Sequence, residues 1–380
     1  MIFILNLMPK SNLYIGVLSG TSADSIDAVI IKFKRIPEIV SKISIKMPEN
    51  IKRDIFQLVF SRTDKNFFKK QKKLDDVLGE LIGKSINKLL KKSNVSYKDI
   101  KAVGSHGQTI KHSNSKKKPF SLQVGNPKII KDLTGIKVIS GFRQSDIKNG
   151  GSGAPLTPAF HKEFLSHKEI NRAIINIGGI TNITLLPVKG KIKGWDIGPG
   201  NCLIDQGIRK ITNGEKEFDL NGNVAKKGNA LKLTRTINTF LKKDYFNKDI
   251  PKSQSIENYN LKDIKINTQE KAFYKNEDLI AALTEITFQS ILKDLKKYCK
   301  DNYEIYFCGG GTKNNFLMKK FKDLSIPNLK FFVTNEIGLN PMDIEAMTFA
   351  WLAMQRLSKQ KIYLNSVTGS RACLMGQITD

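Results

Sequence analysis

The sequence has few cysteines and histidines, and their spacing argues against metal and disulfide chemistry. The chain contains four cysteines with no Cys-x-x-Cys pair, and four histidines without the spacing of a metal site. The cysteines are Cys202, Cys299, Cys308 and Cys373. Isolated thiols of this kind suit a reducing compartment better than a disulfide framework. We therefore expect a cytoplasmic protein.

Long apolar runs are also missing. No segment approaches the roughly 20 consecutive apolar residues that a membrane-spanning helix requires. The opening residues MIFILNLM lack the basic start and the small-residue cleavage site of a secretory signal. We interpret residues 1–11 as an N-terminal extension, with Met8 as an alternative start of translation, and expect no membrane partner.

Acidic residues are scarce relative to basic ones. Asp and Glu number 35 against 63 Lys and Arg, a formal net charge of +28. Such a charge raises a nucleic-acid hypothesis, because lysines and arginines neutralise phosphates. The lysines are spread through every segment, however, and aromatic residues do not alternate with them as a base-stacking surface requires. We expect solvated basic surface, including residues 116–118, and no nucleic-acid partner.

A repeated order of elements indicates two domains. The 380 residues suffice for two cores. Three strand-like runs precede a helical region in each half of the chain. These runs lie near residues 14–18, 27–34 and 40–47, and again near 172–177, 181–187 and 192–195. A glycine-containing turn joins the first strand to the second in each half, which predicts an α/β fold of two related domains facing each other across a cleft.

The repeat also sets the predicted domain boundaries. Residues 12–135 with 358–380 form domain I, which carries the phosphate-binding hairpin. Residues 136–357 form domain II, which carries the candidate catalytic Asp and two glycine-rich turns.

The turn within residues 16–31 is the most informative segment. It joins two apolar strands through small, hydroxyl-bearing residues and the carboxylates of Asp24 and Asp27. Glycine lets the backbone approach a ligand, and consecutive amides with Ser and Thr hydroxyls can face a phosphate. Asp24 is placed to hold a magnesium ion beside the phosphate oxygens. A turn that merely makes the bend is the alternative.

Two further glycine-rich turns favour a nucleotide ligand. Residues 177–182 (IGGITN) follow an apolar strand, and residues 308–314 (CGGGTKN) lie between a strand and a helix, where amides are available to an anion. Residues 83–85 (GKS) resemble the end of a P-loop, but helical spacing of apolar residues from Leu74 to Leu90 places them within a helix, so we reject a P-loop there.

Three polar side chains are candidates for chemistry on an acceptor. Asp196, at the end of the last strand of the second triplet and before a Gly-Pro-Gly bend, is the candidate general base, with a cap or turn carboxylate as the alternative. His106 suits a sugar or is a core histidine. Arg143 either clamps a substrate carboxylate or pairs with Asp146.

The helix start near residue 340 adds one more candidate. Pro341 and the acids that follow are typical of a first helical turn. Capping explains Asp343, whereas Glu345 is the acid expected to face the cleft.

Together these motifs resemble the anhydro-N-acetylmuramic acid kinase family, which belongs to the sugar kinase, heat-shock chaperone and actin superfamily. The resemblance runs from about Tyr14 to the C-terminus. The matching strings are SGTSADSID (19–27), GSHGQT (104–109), GFRQSD (141–146), GGSGAPLTP (150–158), NIGGITNIT (176–184), WDIGPGN (195–201), PKS (251–253), CGGGTKN (308–314) and VTGS (367–370). The resemblance implies two actin-like ATPase (ribonuclease H-like) domains flanking an interdomain cleft.

The family's reaction defines what the resemblance implies for function. The family opens the 1,6-anhydro ring of its amino sugar with water and phosphorylates the freed 6-oxygen from ATP, giving N-acetylmuramic acid 6-phosphate for peptidoglycan recycling. ATP and Mg²⁺ are the implied cofactors, the amino sugar is the implied substrate, and a homodimer is implied as well. A kinase for another sugar or a small carboxylic acid, and a non-catalytic actin-type ATP-binding protein, are the alternatives.

The resemblance also assigns residues. Asp196 activates the water, Asp24 is the metal ligand, and His106, Arg143 and Glu345 bind the sugar. The nucleotide-binding residues are Gly20, Thr21, Ser22, Ala23, Asp24, Ser25, Ile26, Asp27, Gly178, Gly179, Gly309, Gly310 and Gly311. Two positions depart from the family pattern, since Ser25 replaces the usual glycine and Ser152 the usual glutamine, which bears on nucleotide affinity and on the exact substrate.

Overall fold

The computed structural model describes residues 12–61, 65–113 and 119–380. The predicted extension at residues 1–11 and the lysine run at 116–118 lie outside these ranges. By its internal contacts the chain divides into unit 1, Met1–Phe160 with Asp343–Asp380, and unit 2, His161–Met342. Each unit contains one sheet with helices, so the predicted α/β class is confirmed.

Groups of strands alternate with groups of helices along the chain. The strands are β1 (Leu13–Ser19), β2 (Ser25–Lys32), β3 (Glu38–Lys46), β4 (Ile100–Ser113), β5 (Phe120–Val124), β6 (Val138–Ser140), β7 (Asn171–Ile177), β8 (Ile180–Leu186), β9 (Lys193–Pro199), β10 (Tyr303–Cys308), β11 (Leu329–Val333) and β12 (Gln377–Thr379). The helices are α1 (Glu49–Phe60), α2 (Lys65–Ser93), α3 (Pro127–Thr134), α4 (Phe142–Lys148), α5 (Thr157–Leu165), α6 (Cys202–Ile211), α7 (Thr234–Leu241), α8 (Asn276–Tyr298), α9 (Asn315–Lys322) and α10 (Ile344–Leu357).

The sheet of unit 1 has the order β12-β6-β4-β1-β2-β3, with β5 paired to β4. Strands β1, β2 and β3 are antiparallel neighbours, whereas β4 runs parallel to β1 and β6 runs parallel to β4. The sheet of unit 2 has the order β11-β10-β7-β8-β9. There too a three-strand antiparallel meander, β7 to β9, continues into two parallel strands. Each unit thus contains an antiparallel strand triplet that continues into two parallel strands.

Helix α10 packs directly on β1 and β4 of unit 1. Gly16 and Gly104 make this approach possible. A Cβ at Gly16 would lie 1.8 Å from the carbonyl oxygen of Ala346, and a Cβ at Gly104 would lie 2.0 Å from that of Phe349. Because any larger residue would push the helix away, these strand glycines determine where α10 and its first turn lie.

The boundaries between the two units lie at residues 160/161 and 342/343. The predicted domain boundaries were at residues 135/136 and 357/358. Strand β6 pairs with β4, and α10 covers β1 and β4, so both elements belong to unit 1. Residues 83–85 lie within α2, which confirms the rejection of a P-loop. None of the helices that the structure describes is both long and apolar enough to cross a membrane.

Candidate functional site

The turn between β1 and β2 carries the predicted phosphate-binding residues of unit 1. The Ala23 amide donates to the Gly20 carbonyl over 3.0 Å, and Ala23 adopts the left-handed conformation with φ 51°. Ala23 and Ile26 are buried in the hydrophobic core, whereas Thr21 and Asp24 are exposed. The buried pair anchors the turn, so this segment can contact phosphate only through its backbone and its polar side chains.

Both carboxylates of the turn have partners nearby. Lys52 of α1 places Nζ 2.8 Å from Oδ1 of Asp24, whose side chain is 54% exposed. The Ser25 hydroxyl donates to Oδ2 of Asp27 over 3.0 Å. The Ser25 hydroxyl therefore restrains the Asp27 carboxylate.

His106 and Arg143, predicted separately as sugar-binding residues, contact each other in unit 1. Arg143 Nε donates to Nε2 of His106 over 2.9 Å. Nδ1 of His106 lies 3.1 Å from the Gly107 carbonyl oxygen, so Nδ1 carries the proton and Nε2 accepts. Desolvation, followed by the charge of Arg143, lowers the pKa of His106 to about 3. The imidazole is therefore neutral at pH 7 and orients the guanidinium.

The glycine-rich loop after α4 is held by the buried carboxylate of Asp146. Its Oδ2 accepts the Gly153 amide at 2.8 Å, and its Oδ1 accepts the Thr368 hydroxyl at 2.7 Å. The Ser152 amide donates to the Thr368 carbonyl over 3.0 Å, and the Ser152 hydroxyl donates to the Ala154 carbonyl over 2.9 Å. The neighbouring motifs at 141–146 and 150–158 thus meet the distant string at 367–370 around one carboxylate, and Ser152 belongs to the internal bonding of the loop.

The start of α10 treats its two acids differently. Glu345 is exposed in the first helical turn. Asp343 is buried and pairs with Lys42 of β3, Nζ to Oδ2 2.7 Å. The Asp343 side chain makes no capping hydrogen bond. The predicted capping role of Asp343 is wrong, because its carboxylate is taken by the lysine.

Asp196, the candidate base, lies on β9 of unit 2. The Gln254 amide donates to Oδ2 of Asp196 over 2.9 Å, and the Tyr245 hydroxyl donates to the Asp196 carbonyl over 2.6 Å. Burial, and then the charge of Asp196, raises the pKa of Tyr245, so the phenol remains a donor. The predicted position at the strand end is wrong, because β9 continues to Pro199 by pairing with β8.

Gly178 and Gly179 form the β7–β8 turn and bind the bend that follows β9. The Gly178 carbonyl accepts the Asn201 amide at 2.8 Å, and the Gly179 carbonyl accepts the Gly200 amide at 2.9 Å. The second predicted nucleotide turn is therefore bonded to the chain just beyond Asp196. Backbone hydrogen bonds therefore join the β7–β8 glycine turn to the end of the strand that carries the candidate base.

The third glycine turn lies between β10 and α9, as predicted. Gly309 has φ 82°, and a Cβ there would lie 2.1 Å from Oδ1 of Asn176. Gly310 and Gly311 begin a short 3₁₀ turn, and the Asn314 side chain then caps α9. Only glycine combines this backbone angle with so close an approach to β7.

Sequence reasoning missed residues that hold Asp196 and the Asp146 loop. Lys252 and Asp294 form a buried ion pair, Nζ to Oδ2 3.2 Å, and Trp195 Nε1 donates to the same carboxylate over 2.7 Å. Lysine gives no local sign of burial in a chain this rich in lysine. The signal in the sequence was that Lys252 and Thr368 lie in the matching strings PKS and VTGS. No role was predicted for either residue.

Metal ligation by protein groups alone is not indicated. Within the described ranges, no group of three or more His, Cys, Asp or Glu side chains could hold a metal ion. Mg²⁺ at a nucleotide needs fewer protein ligands, because phosphates and waters complete its octahedron. The half-exposed carboxylate of Asp24 is a hard oxygen donor of the right type, with Lys52 as its neighbour.

Comparison of the sequence with known proteins indicates one family. The sequence model described as "Anhydro-N-acetylmuramic acid kinase" matches residues 12–380. A curated anhydro-N-acetylmuramic acid kinase from Coxiella burnetii is 38% identical over 375 residues, covering 98% of both chains. The corresponding protein of Shewanella sediminis is 36% identical over 372 residues, covering 97% of this chain and 99% of its own.

Solved structures give more distant similarities. The activator of the 2-hydroxyisocaproyl-CoA dehydratase from Clostridium difficile, with bound ADPNP, has a TM-score of 0.46 and 14% identity, covering 91% of this chain and 96% of its own. A ROK family glucokinase from Streptomyces griseus, in complex with glucose and AMPPNP, has a TM-score of 0.36 and 12% identity, with 90% and 99% covered.

Proposed function

The chain belongs to the anhydro-N-acetylmuramic acid kinase family, and from this membership we propose how its residues carry out the reaction. The protein is an ATP-dependent kinase that converts 1,6-anhydro-N-acetylmuramic acid and water to N-acetylmuramic acid 6-phosphate. Water adds to the anomeric carbon, the bond from that carbon to O6 breaks, and O6 takes the γ-phosphoryl group of ATP with release of ADP. Aligning three reactants makes positioning the main source of the rate.

Asp196 is the proposed general base. It takes one proton from the attacking water, and the remaining hydroxyl stays on the anomeric carbon. The observation that carries this assignment is the Gln254 amide bonded to Oδ2 at 2.9 Å, which orients the carboxylate. The Tyr245 hydroxyl holds the backbone of the same residue. A carboxylate held in one orientation is suited to accept a proton at a defined position.

The glycine turns are the proposed nucleotide-binding elements. They are residues 20–27, 178–179 and 309–311, which the family resemblance assigns to the nucleotide. The backbone freedom at Gly309 and the bonds from Gly178 and Gly179 to the bend after β9 support the assignment. Backbone amides of such turns are the groups that cradle phosphates in nucleotide sites.

Asp24 is the proposed protein ligand of Mg²⁺, and its exposed carboxylate fits an ion held mainly by phosphates and water. The ion supplies charge neutralisation at the β- and γ-phosphates when it is bound. Lys52 pairs with the same carboxylate and restrains it.

Arg143, His106 and Glu345 are the proposed sugar-binding residues. N-acetylmuramic acid carries a carboxylate, and a guanidinium binds carboxylates through paired donors. The bond from Arg143 Nε to neutral His106 directs the guanidinium. Glu345 is exposed at the start of α10, where a carboxylate can accept from sugar hydroxyls.

The cellular setting is proposed from the same family membership. We place the protein in the cytoplasm, where ATP is supplied, as a step in peptidoglycan recycling, and we expect a homodimer. All four cysteines are buried and none forms a disulfide, and burial raises the pKa of Cys202 to about 12, which suits thiols that remain reduced.

The deciding experiment follows phosphoryl transfer from MgATP to 1,6-anhydro-N-acetylmuramic acid in H₂¹⁸O, with the product identified by mass. We expect a product that contains one ¹⁸O and one phosphate. Asp196→Asn keeps the shape of the side chain, and we expect it to lower kcat by about 10²- to 10⁴-fold while nucleotide affinity stays within about three-fold. Phosphorylation without ¹⁸O incorporation, or an active Asp196→Asn variant, would contradict the proposed mechanism.

A further inference from the structure

Residues 251–254, the Pro-Lys-Ser-Gln segment, lie alongside Asp196. The Asp196 amide donates to the Lys252 carbonyl over 3.0 Å, and the Gln254 amide donates to Oδ2 of Asp196 over 2.9 Å. This segment therefore bonds to both the backbone and the side chain of the proposed base. Whatever holds the segment also sets the direction of the carboxylate.

A buried ion pair holds this segment. Lys252 Nζ lies 3.2 Å from Oδ2 and 3.4 Å from Oδ1 of Asp294 on α8. The side chains are only 3% and 4% exposed. Trp195, fully buried and adjacent to Asp196 in the chain, donates from Nε1 to Oδ2 of Asp294 over 2.7 Å. One carboxylate on α8 thus binds the residue before Asp196 and the segment that contacts it.

The burial of this pair needs an explanation beyond stability. Two charges taken from water lose hydration, and a well-packed apolar pair of similar size is often at least as stable. An apolar pair at positions 252 and 294, however, could not link the 251–254 segment and the Trp195 indole through one carboxylate. Burial lowers the pKa of Lys252 and the charge of Asp294 opposes this, which is consistent with a lysine held in place by its partner.

We propose that Lys252 and Asp294 are positioning residues for the general base, holding Asp196 between Trp195 and the segment 251–254 in the direction that catalysis requires. This inference rests on the proposed role of Asp196. Neither residue is assigned contact with substrate. Their effect passes through the Gln254 amide and the β9 backbone, so the turnover number should respond far more than the affinity for either substrate.

The chain offers a matched control in the same unit. Arg172 and Glu304 form another poorly exposed ion pair, Nε to Oε2 3.2 Å, with side chains 14% and 20% exposed. The pair joins β7 to β10 near the start of both strands. Along β7, Arg172 lies four residues before Asn176. Asn176 pairs with Asn182 of β8, which in turn pairs with Asp196 of β9. Glu304→Gln therefore removes a comparable charge pair away from the base.

The experiment compares Lys252→Met, Asp294→Asn and Trp195→Phe with Glu304→Gln, all normalised to folded protein. We expect Lys252→Met and Asp294→Asn to lower kcat at least ten-fold, with KM for both substrates within three-fold. Trp195→Phe should give a smaller loss of the same kind, and Glu304→Gln should stay within two-fold. Amide hydrogen exchange of residues 252–256 should accelerate at least ten-fold in Lys252→Met and not in Glu304→Gln.

Two results would overturn the inference. A kcat within two-fold of the parent for Lys252→Met, while Asp196→Asn is inactive, would show that the base needs no such support. Equal losses in Lys252→Met and Glu304→Gln would mark the pair as an ordinary core contact. If Lys252→Met fails to fold, Asp294→Asn and Trp195→Phe carry the same comparison. An active Asp196→Asn would instead overturn the proposed base, which separates the two failures.

Discussion

Lys52 Nζ lies 2.8 Å from Oδ1 of Asp24, so the carboxylate proposed to bind Mg²⁺ already has a cationic partner within the protein. The lysine side chain is 15% exposed, and that of the aspartate 54%. A divalent ion bound at Asp24 would compete with the ammonium for the same oxygen, so we expect the pair to weaken the proposed binding of Mg²⁺.

Lys52→Met should therefore lower the Mg²⁺ concentration that gives half-maximal activity, by about two- to five-fold, because Asp24 loses its internal partner. The measurement is an Mg²⁺ titration at saturating ATP. Lys84→Met is the control, since it removes the exposed Lys84–Glu80 pair on α2 and should leave the titration unchanged. An unchanged titration for Lys52→Met would argue against Asp24 as a metal ligand.

The Arg143–His106 contact yields a second prediction. His106→Asn should raise KM for the sugar by about ten-fold, roughly the 1.4 kcal/mol expected when a hydrogen bond to a charged group is lost. The pKa of His106 is lowered to about 3 by burial and by Arg143, so its protonation does not change between pH 5 and pH 8. The pH profile of kcat/KM should therefore keep its shape in the variant.

Arg143→Lys is the companion variant. Lysine keeps the charge but lacks the planar fork, so we expect a larger rise in KM for the sugar than His106→Asn gives. Steady-state kinetics with varied sugar and fixed MgATP would measure both. If a pKa seen in the kcat/KM pH profile of the parent is absent from that of His106→Asn, the assignment of His106 as a neutral positioning group is contradicted.

The buried imidazole of His161 makes stability depend on pH. Its Nδ1 lies 2.9 Å from the Thr184 hydroxyl, and burial lowers its pKa to about 3 from an ordinary value of 6.5. The unfolded chain therefore binds a proton that the folded protein excludes. The contribution of neutral His161 to the free energy of unfolding is intact above pH 6.5. It is lost progressively as the pH falls toward 3, at about 1.4 kcal/mol per pH unit.

Urea unfolding at pH 7, 6 and 5 would test this prediction. His161→Gln keeps a polar side chain that does not titrate. Between pH 6.5 and pH 5, the free energy of unfolding of this variant should fall by about 2 kcal/mol less than that of the parent. His167→Gln is the control, because His167 lies among exposed and half-exposed residues after α5. Identical slopes for His161→Gln and the parent would show that His161 titrates normally.

Local pattern was sufficient for much of the fold. The strand run predicted near residues 14–18 is β1, Leu13–Ser19, and the helical spacing from Leu74 to Leu90 lies within α2. Such patterns depend on interactions within a few residues, which the sequence displays directly. The strand predicted to end near Trp195 extends to Pro199, because pairing with β8 prolongs it beyond its local signal.

Contacts between distant residues were not predictable in the same way. Asp146 and Thr368 are 222 positions apart, and Lys252 and Asp294 are 42 apart, yet each pair is buried and hydrogen-bonded. The assignment of β6 and α10 to unit 1 likewise depends on which strands become neighbours. No periodicity or turn signal encodes such a pairing.

The sequence by itself determined the family, the two strand triplets, the glycine turns and the identity of the candidate base, because each is a short pattern with a local physical meaning. Tertiary structure alone decided what surrounds those residues: Lys52 on Asp24, Arg143 on His106, and Lys252 with Asp294 beside Asp196. The orientation and charge environment of a side chain depend on groups brought near it by folding, and those groups come from segments that are remote in the chain.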